Sequence, residues 1–383
     1  ARPLPARLAD VTSLTDSAEY TDRIVRAAAG ARARGIDSLL VSPGPDLRYL
    51  TGYDAVPLER LTCLIVHNDG NCELVAPRLE VAAAAASPVA HMGIDIVGWD
   101  EGDDPYALVA SRFDGHPAVV AVDDRMWAVK ALALADAIPG SRQVAAGPVI
   151  SGLRMRKSPA EVAALLAAGA AIDAVHARVP DWLRAGHTEA QVGRDIADAI
   201  SEQHETVDFV IVASGPNGAS PHHSCSDRAL ELGDTVVVDI GGTTADGYCS
   251  DSTRTYSIGE PDPQFVDEYN VLQRAQATAV AAASPGITCE ALDAVARDIL
   301  REAGLGDLFI HRTGHGIGLE THEEPYIVAG NTQTLEAGMA FSIEPGFYRP
   351  GKWGARIEDI VVCTEDGPVV CNQRPRDLIV VNQ

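Results

Sequence analysis

Short apolar runs, cut by glycines and polar clusters, predict alternating helices and strands over the first 150 or so residues. Residues 17–35, SAEYTDRIVRAAAGARARG, read as an amphipathic helix stopped by Gly35. DSLLVS then reads as a strand. LTCLIVHNDGNCELVAP reads as a β-hairpin with Asp69-Gly70 at its turn. PAVVAVDD predicts a further strand, and the Ala-rich VAAAAAS a helix. Together they describe a self-contained α/β domain, residues 1–152, with no nucleotide-binding glycine motif.

The texture changes at LRMRKSPAEVAALLAAG, where a second domain, 153–383, begins. Ser158 and Glu161 form a capping box with Pro159 at the first helical position, so a long helix starts there. Thr188 and Gln191 repeat the box for a second helix. Strands TVDFVIVASG, DTVVVDIGG and YCSDSTRTYS follow. The order then recurs: helices at about 263–283 and 289–303, then strands at FIHRTG, MAFSIEPGFY and ARIEDIVVC. The region reads as two similar halves, each two helices and then a set of strands.

Composition narrows the functional classes. The 383 residues suit two domains. With 54 acidic and 30 basic residues the formal charge is −24, which argues against binding nucleic acid or an anionic membrane through bulk electrostatics. No apolar run approaches the roughly 20 residues that span a bilayer. The stretch ARPLPARLADVTSL lacks the apolar core of a signal peptide. Seven scattered cysteines without a CxxC pair fit reduced thiols in a cytoplasmic protein.

The acids are less ordinary where they interrupt apolar strands. Asp is depleted in strands, yet VVVDIGG carries Asp239 and YCSDSTRTY carries Asp251, and the linking TTADGY is a turn sequence. A hairpin there would bring both carboxylates to one side of a sheet. The second half offers Glu344 in FSIEPGFY and Glu358 in ARIEDIVV, with His315 between two glycines in RTGHGIG. Those glycines would let backbone and ring approach a ligand closely. Any one acid is as readily explained by a salt bridge or a turn; four in strand contexts, symmetric between two halves, are not. Brought together they would repel and raise one another's pKa values, and two divalent cations would cancel that charge. A site of four carboxylates and one imidazole suits Mn²⁺ ahead of Zn²⁺. Arg254 and Arg356, two or three positions from these acids, read as partners of the ligands.

The series Asp239, Asp251, His315, Glu344, Glu358 resembles the dinuclear metal site of the pita-bread metallopeptidases, which include methionine aminopeptidase, aminopeptidase P and prolidase. PDLRYLTGY (45–53) is similar to a signature of the creatinase/prolidase N-terminal domain, and LRMRKSPAEV (153–162) to the entry into the catalytic domain. The resemblance implies an α+β pita-bread domain preceded by a creatinase-like α/β domain. It points most closely to the Xaa-Pro dipeptidase (prolidase) group acting on short proline-containing peptides. It implies a homodimer and two divalent ions, most readily Mn²⁺, with Zn²⁺ or Co²⁺ as alternatives.

By the same resemblance, Asp239 chelates one ion, Asp251 and Glu358 bridge the pair and His315 completes one sphere. Glu344 binds metal and carries the proton of the attacking water. His322 stabilises the oxyanion, His222 holds substrate and Arg356 orients a ligand carboxylate. His223 reads as a packing neighbour, His311 as support for the site, and the remaining histidines as structural. Many Xaa-Pro enzymes of the family carry an arginine between the second catalytic histidine and the first glutamate ligand. HEEPYIVAGNTQTLEAGMAFSIE has none, which leaves Arg349 or Lys352 as candidate replacements. Three other readings stand beside this one: aminopeptidase P activity on longer peptides, creatinase-like C–N hydrolysis or a lyase reaction on a small molecule, and a non-catalytic binding module.

Overall fold

The computed structural model describes residues 17–382. The stretch read for a signal peptide, residues 1–14, lies outside them. The chain divides into two compact units, one ending at Arg154 and one running from Met155.

The first unit contains α1 (Ser17–Ala33), β1 (Ser38–Val41), α2 (Pro45–Thr51), β2 (Cys63–His67), β3 (Cys72–Pro77), α3 (Val81–Ala86), β4 (Asp95–Trp99), α4 (Pro105–Ala110), β5 (Val119–Val122), α5 (Ala128–Ala137), β6 (Arg142–Ala145) and α6 (Gly147–Arg154). Its six strands form one mixed sheet in the order β4-β3-β2-β1-β5-β6. The β2–β3 hairpin is antiparallel, and Gly70 supplies the φ of 99° that its turn requires. Leu40, Ile65, Val75, Val120 and Leu134 share the core.

The second unit opens with α7 (Pro159–Trp182), α8 (Glu189–Ile200), β7 (Thr206–Ser214), β8 (Thr235–Thr243) and β9 (Cys249–Ile258). Both capping boxes close reciprocally, Ser158 with Glu161 and Thr188 with Gln191. By length and composition α7 could cross a bilayer, which corrects the expectation that no segment reaches that scale. It is a core helix instead: Ile172, Val175 and Val179 sit in one apolar cluster with Val236, Val238 and Tyr256.

After α9 (Pro263–Ala282) and α10 (Cys289–Glu302) come β10 (Gly314–Gly316), β11 (Glu323–Ile327), β12 (Ala340–Ile343), β13 (Gly346–Arg349), β14 (Trp353–Arg356), β15 (Asp359–Val362), β16 (Val369–Val370) and β17 (Ile379–Val381). These strands are not a plain repeat of the first half. The strand expected at FIHRTG begins only at Gly314. MAFSIEPGFY breaks at Glu344-Pro345, and ARIEDIVVC breaks at Ile357-Glu358. On one side of each break the chain belongs to the sheet β11-β10-β12-β15-β16; on the other it forms the ribbon β13-β14. Pro345 has no N–H to continue a ladder.

His176 ties α7 to β9. Its Nε2–H donates to the Ser252 carbonyl at 3.1 Å, and its Nδ1 accepts from the Tyr256 hydroxyl at 3.0 Å. Burial, then the nearby Arg254 charge, push its pKa down to about 3. An unfolded histidine takes up its proton near pH 6.5, so stability falls as pH drops from there toward about 3. In metal-free protein, denaturant titrations of His176→Asn should lose up to about 1.4 kcal/mol per pH unit of this slope relative to the parent. An identical slope in the two proteins would show that His176 titrates normally.

Candidate metal centre

The site begins with strand alternation. On β8, Val236, Val238 and Ile240 pack beneath α7 and α8, which turns Asp239 to the opposite face. Asp239 lies opposite Thr253 on β9, and Gly241 opposite Asp251, so both aspartates project on the same side. In the second half, Phe341, Ile343, Ile357 and Val361 join the core of α9 and α10. Glu344 and Glu358 lie one residue beyond the Ile343–Asp359 pair, where β12 and β15 stop. The two glutamates are therefore strand-end residues, which corrects their placement inside strands.

His315 occupies β10. A Cβ at Gly314 would stand 1.9 Å from the Ser342 carbonyl oxygen, and one at Gly316 2.2 Å from that of Glu324. The glycines thus admit neighbouring backbone rather than a ligand, a correction to their expected role. The His315 Nδ1–H donates to its neighbour Gly316's carbonyl at 3.1 Å, leaving Nε2 as the lone-pair nitrogen. That nitrogen lies 3.3 Å from Glu344 Oε1 and 3.6 Å from Asp251 Oδ2.

All five expected ligands come together. Asp239, Asp251 and Glu358 each offer an oxygen within 4.8 Å of the others, as do His315, Glu344 and Glu358 with one atom apiece. His322 joins Asp251 and His315 in a third such group, its ring centroid 4.0 Å from that of His315. Burial, then the charges of Glu358, Asp239 and Glu344, drive the Asp251 pKa far up. Glu358 is driven up by burial, Glu344 and Asp239. Burial is also the main cause at Glu344, which reaches about 7. Among the described residues, buried Asp239 Oδ1 has no hydrogen-bond partner. An orphaned oxygen amid repelling carboxylates and a lone-pair nitrogen fits a pair of hard or borderline cations.

A polar chain supports this cluster. Arg356 donates to Asp239 Oδ2 at 2.5 Å, to Thr253 Oγ1 at 3.1 Å and to the Tyr348 hydroxyl at 2.7 Å. The Thr253 hydroxyl donates to Glu358 at 2.7 Å, and Tyr348 meets His311 Nε2 at 2.8 Å. Arg254, read as a partner of the ligands, supports Glu358 through its backbone: it donates to the Glu358 carbonyl and pairs with the adjacent Asp359.

The cluster floors a cavity of about 890 Å³, also lined by Phe209, Ile211, His222, Ile310, Arg312 and His322. His223 does more than pack: it bonds the buried Glu189 carboxylate at 2.7 Å. Glu189 also accepts from Ser214, Asn217 and Ser226, and so secures the loop that presents His222. Neither expected substitute arginine or lysine lines the cavity. Arg349 pairs with Glu268, and Lys352 lies over the Trp353 ring. Arg312, unremarked in the sequence, does line it. Its only linear signal was its position three residues ahead of His315.

Residues 163–365 match the model of metallopeptidase family M24, and residues 23–156 that of the creatinase/prolidase N-terminal domain. The chain is 56% identical over 367 residues to the probable dipeptidase PepE of Mycobacterium tuberculosis, covering 96% of this chain and 98% of that protein. It is 38% identical over 354 residues to the Xaa-Pro dipeptidase of Lactobacillus helveticus, covering 90% and 95%. The crystal structure of the dipeptidase PepE from Mycobacterium ulcerans superposes with a TM-score of 0.93 at 56% identity, covering 96% of this chain and 99% of that one. With a creatinase-type first unit and a pita-bread second unit, the chain belongs to metallopeptidase family M24.

Proposed function

We propose that the protein is a metal-dependent dipeptidase that hydrolyses Xaa-Pro bonds. The observation that carries this is the convergence of four carboxylates and the His315 nitrogen on the floor of one cavity. The names of the relatives point the same way. Asp239, Asp251, His315, Glu344 and Glu358 would hold two divalent ions, which acidify a water and polarise the scissile carbonyl when bound.

The chain's own residues account for the rest. Glu344, at the edge of the floor beside His315, takes the proton of the attacking water and passes it to the leaving nitrogen. His322 has its pKa lowered by burial and by Arg312, so its neutral imidazole offers one N–H to the developing oxyanion. His222, on the wall formed by the Glu189-anchored loop, contacts the substrate. Arg356 fixes Asp239 and donates no proton. A prolyl amide has no N–H, and none of these roles requires one. Mn²⁺ is the ion we favour for this oxygen-rich donor set. Seven free thiols favour a reducing, cytoplasmic setting. A homodimer rests on the family resemblance alone.

A panel of Xaa-Pro dipeptides, longer peptides with proline second, and dipeptides without proline tests the reading. Fastest turnover should fall on Xaa-Pro dipeptides; faster cleavage of the longer peptides would mark an aminopeptidase P instead. Asp251→Ala should lose metal by elemental analysis and turnover by at least about 1,000-fold. A variant that kept both would remove Asp251 from the centre. His322→Ala should retain both ions while kcat falls roughly 100- to 1,000-fold, and unchanged kcat would exclude an oxyanion role. Because the metal-free carboxyls are raised, loading with Mn²⁺ near pH 7 should release protons. Calorimetry in buffers of different ionisation enthalpy reads that release, and affinity should weaken as pH falls. Loading without proton exchange would contradict the raised pKa values.

A further inference from the structure

The cavity wall carries five acids, Asp208, Asp239, Asp251, Glu344 and Glu358, and two arginines, Arg312 and Arg356. Arg356 is committed to Asp239, Thr253 and Tyr348. Half-buried Arg312 makes no ion pair among the described residues. Its guanidinium instead lies 4.4 Å from the centroid of the Tyr326 ring. Such stacking orients a guanidinium while leaving its N–H edge free for a planar anion.

The backbone around Arg312 is clamped. Arg297 on α10 donates to the carbonyls of Phe309 at 3.2 Å and His311 at 2.8 Å. Asp293, one helical turn earlier, accepts from the Thr313 N–H at 3.1 Å and hydroxyl at 2.7 Å. Arg312 thus projects from between two anchored residues, three positions before His315.

A peptide bound across this floor brings a C-terminal carboxylate into a wall of acids. It needs a cation that no protein carboxylate already holds. We propose that Arg312, braced on Tyr326, binds the free C-terminal carboxylate of the substrate and so selects dipeptides over longer or amidated peptides. This rests on the peptidase reading above. A bidentate guanidinium–carboxylate contact would favour the free acid by roughly 10- to 100-fold.

The test compares Ala-Pro with Ala-Pro-amide, and Leu-Leu with Leu-Leu-amide, on the Mn²⁺-loaded parent and on Arg312→Gln. Calorimetric binding of L-proline against L-prolinamide gives a readout without turnover. The parent should prefer the free acid in both measurements. Arg312→Gln should lose about 10- to 100-fold in kcat/KM on the free dipeptides and in proline affinity, with the amides within about threefold of the parent. Tyr326→Leu should show the same selective loss to a smaller degree. Equal losses on acids and amides would reveal a merely structural role and overturn the proposal, as would no loss at all. Carboxylate selectivity that depends on Arg312 and appears only with Leu-Leu would sustain Arg312 while removing the proline specificity. Should no peptide be cleaved, the proline–prolinamide difference decides for Arg312 by itself.

Discussion

Repulsion among Asp239, Asp251, Glu344 and Glu358 is the constraint around which the second unit is organised. Two unit charges about 4 Å apart repel by about 4 kcal/mol at an effective dielectric of 20. With one guanidinium, that of Arg356, bonded to just one of the four, full ionisation without added cations is unfavourable. The carboxyls answer by holding protons, as the raised pKa values of Asp251, Glu344 and Glu358 show. They cannot answer by turning away. Each aspartate is fixed to its face because the alternate residues of its strand belong to the sheet's other side, and a rotated β8 would carry Val238 and Ile240 out of the core.

The glutamates need another kind of restraint, because their strands end beside them. Asp359, next to Glu358, is fully buried and accepts from Arg254, Gln276 and Arg376. Arg254 also donates to the Glu358 carbonyl. One guanidinium thus holds the backbone of a ligand while neutralising the acid that follows it, and Glu358's own side chain stays free to face the floor. On the partner strand, the Ser342 hydroxyl donates to Glu344 Oε1 at 3.3 Å. These contacts sit behind the ligands, where buried polar groups must be satisfied regardless of what the floor binds.

How far this was legible in the sequence follows the range of the interaction. The capping boxes of α7 and α8 span three residues, and both closed as read. The Asp239–Asp251 pairing needed just a hairpin and period-two alternation, both local. The breaks after Ile343 and before Asp359 were not legible, since a proline inside an apolar run does not say whether the chain continues in its sheet or leaves it. The glycines around His315 looked like an opening for a ligand because their neighbours, Ser342 and Glu324, come from other strands. Glu189 and His223 lie 34 residues apart, and neither carries a linear mark of the bond between them. Arg312 was missed for the same reason: the ring it rests on belongs to β11.

Charge on the scale of the whole molecule sharpens the role of these few cations. A chain of formal charge −24 repels anions at long range, so a substrate with a net negative charge would meet a barrier before reaching the floor. A dipeptide zwitterion is neutral as a whole and escapes that penalty. The cost returns locally, once its carboxylate separates from its ammonium and must lie among acids. In the second unit Arg228, Arg254, Arg297, Arg349, Arg356 and Arg376 are each already paired with an aspartate or glutamate. A further acid drawn to any of them would displace an existing bond. Arg312 is held by an aromatic face instead, which fixes its direction without neutralising it. An aromatic support is the arrangement that keeps a positive charge both oriented and available in so acidic a protein.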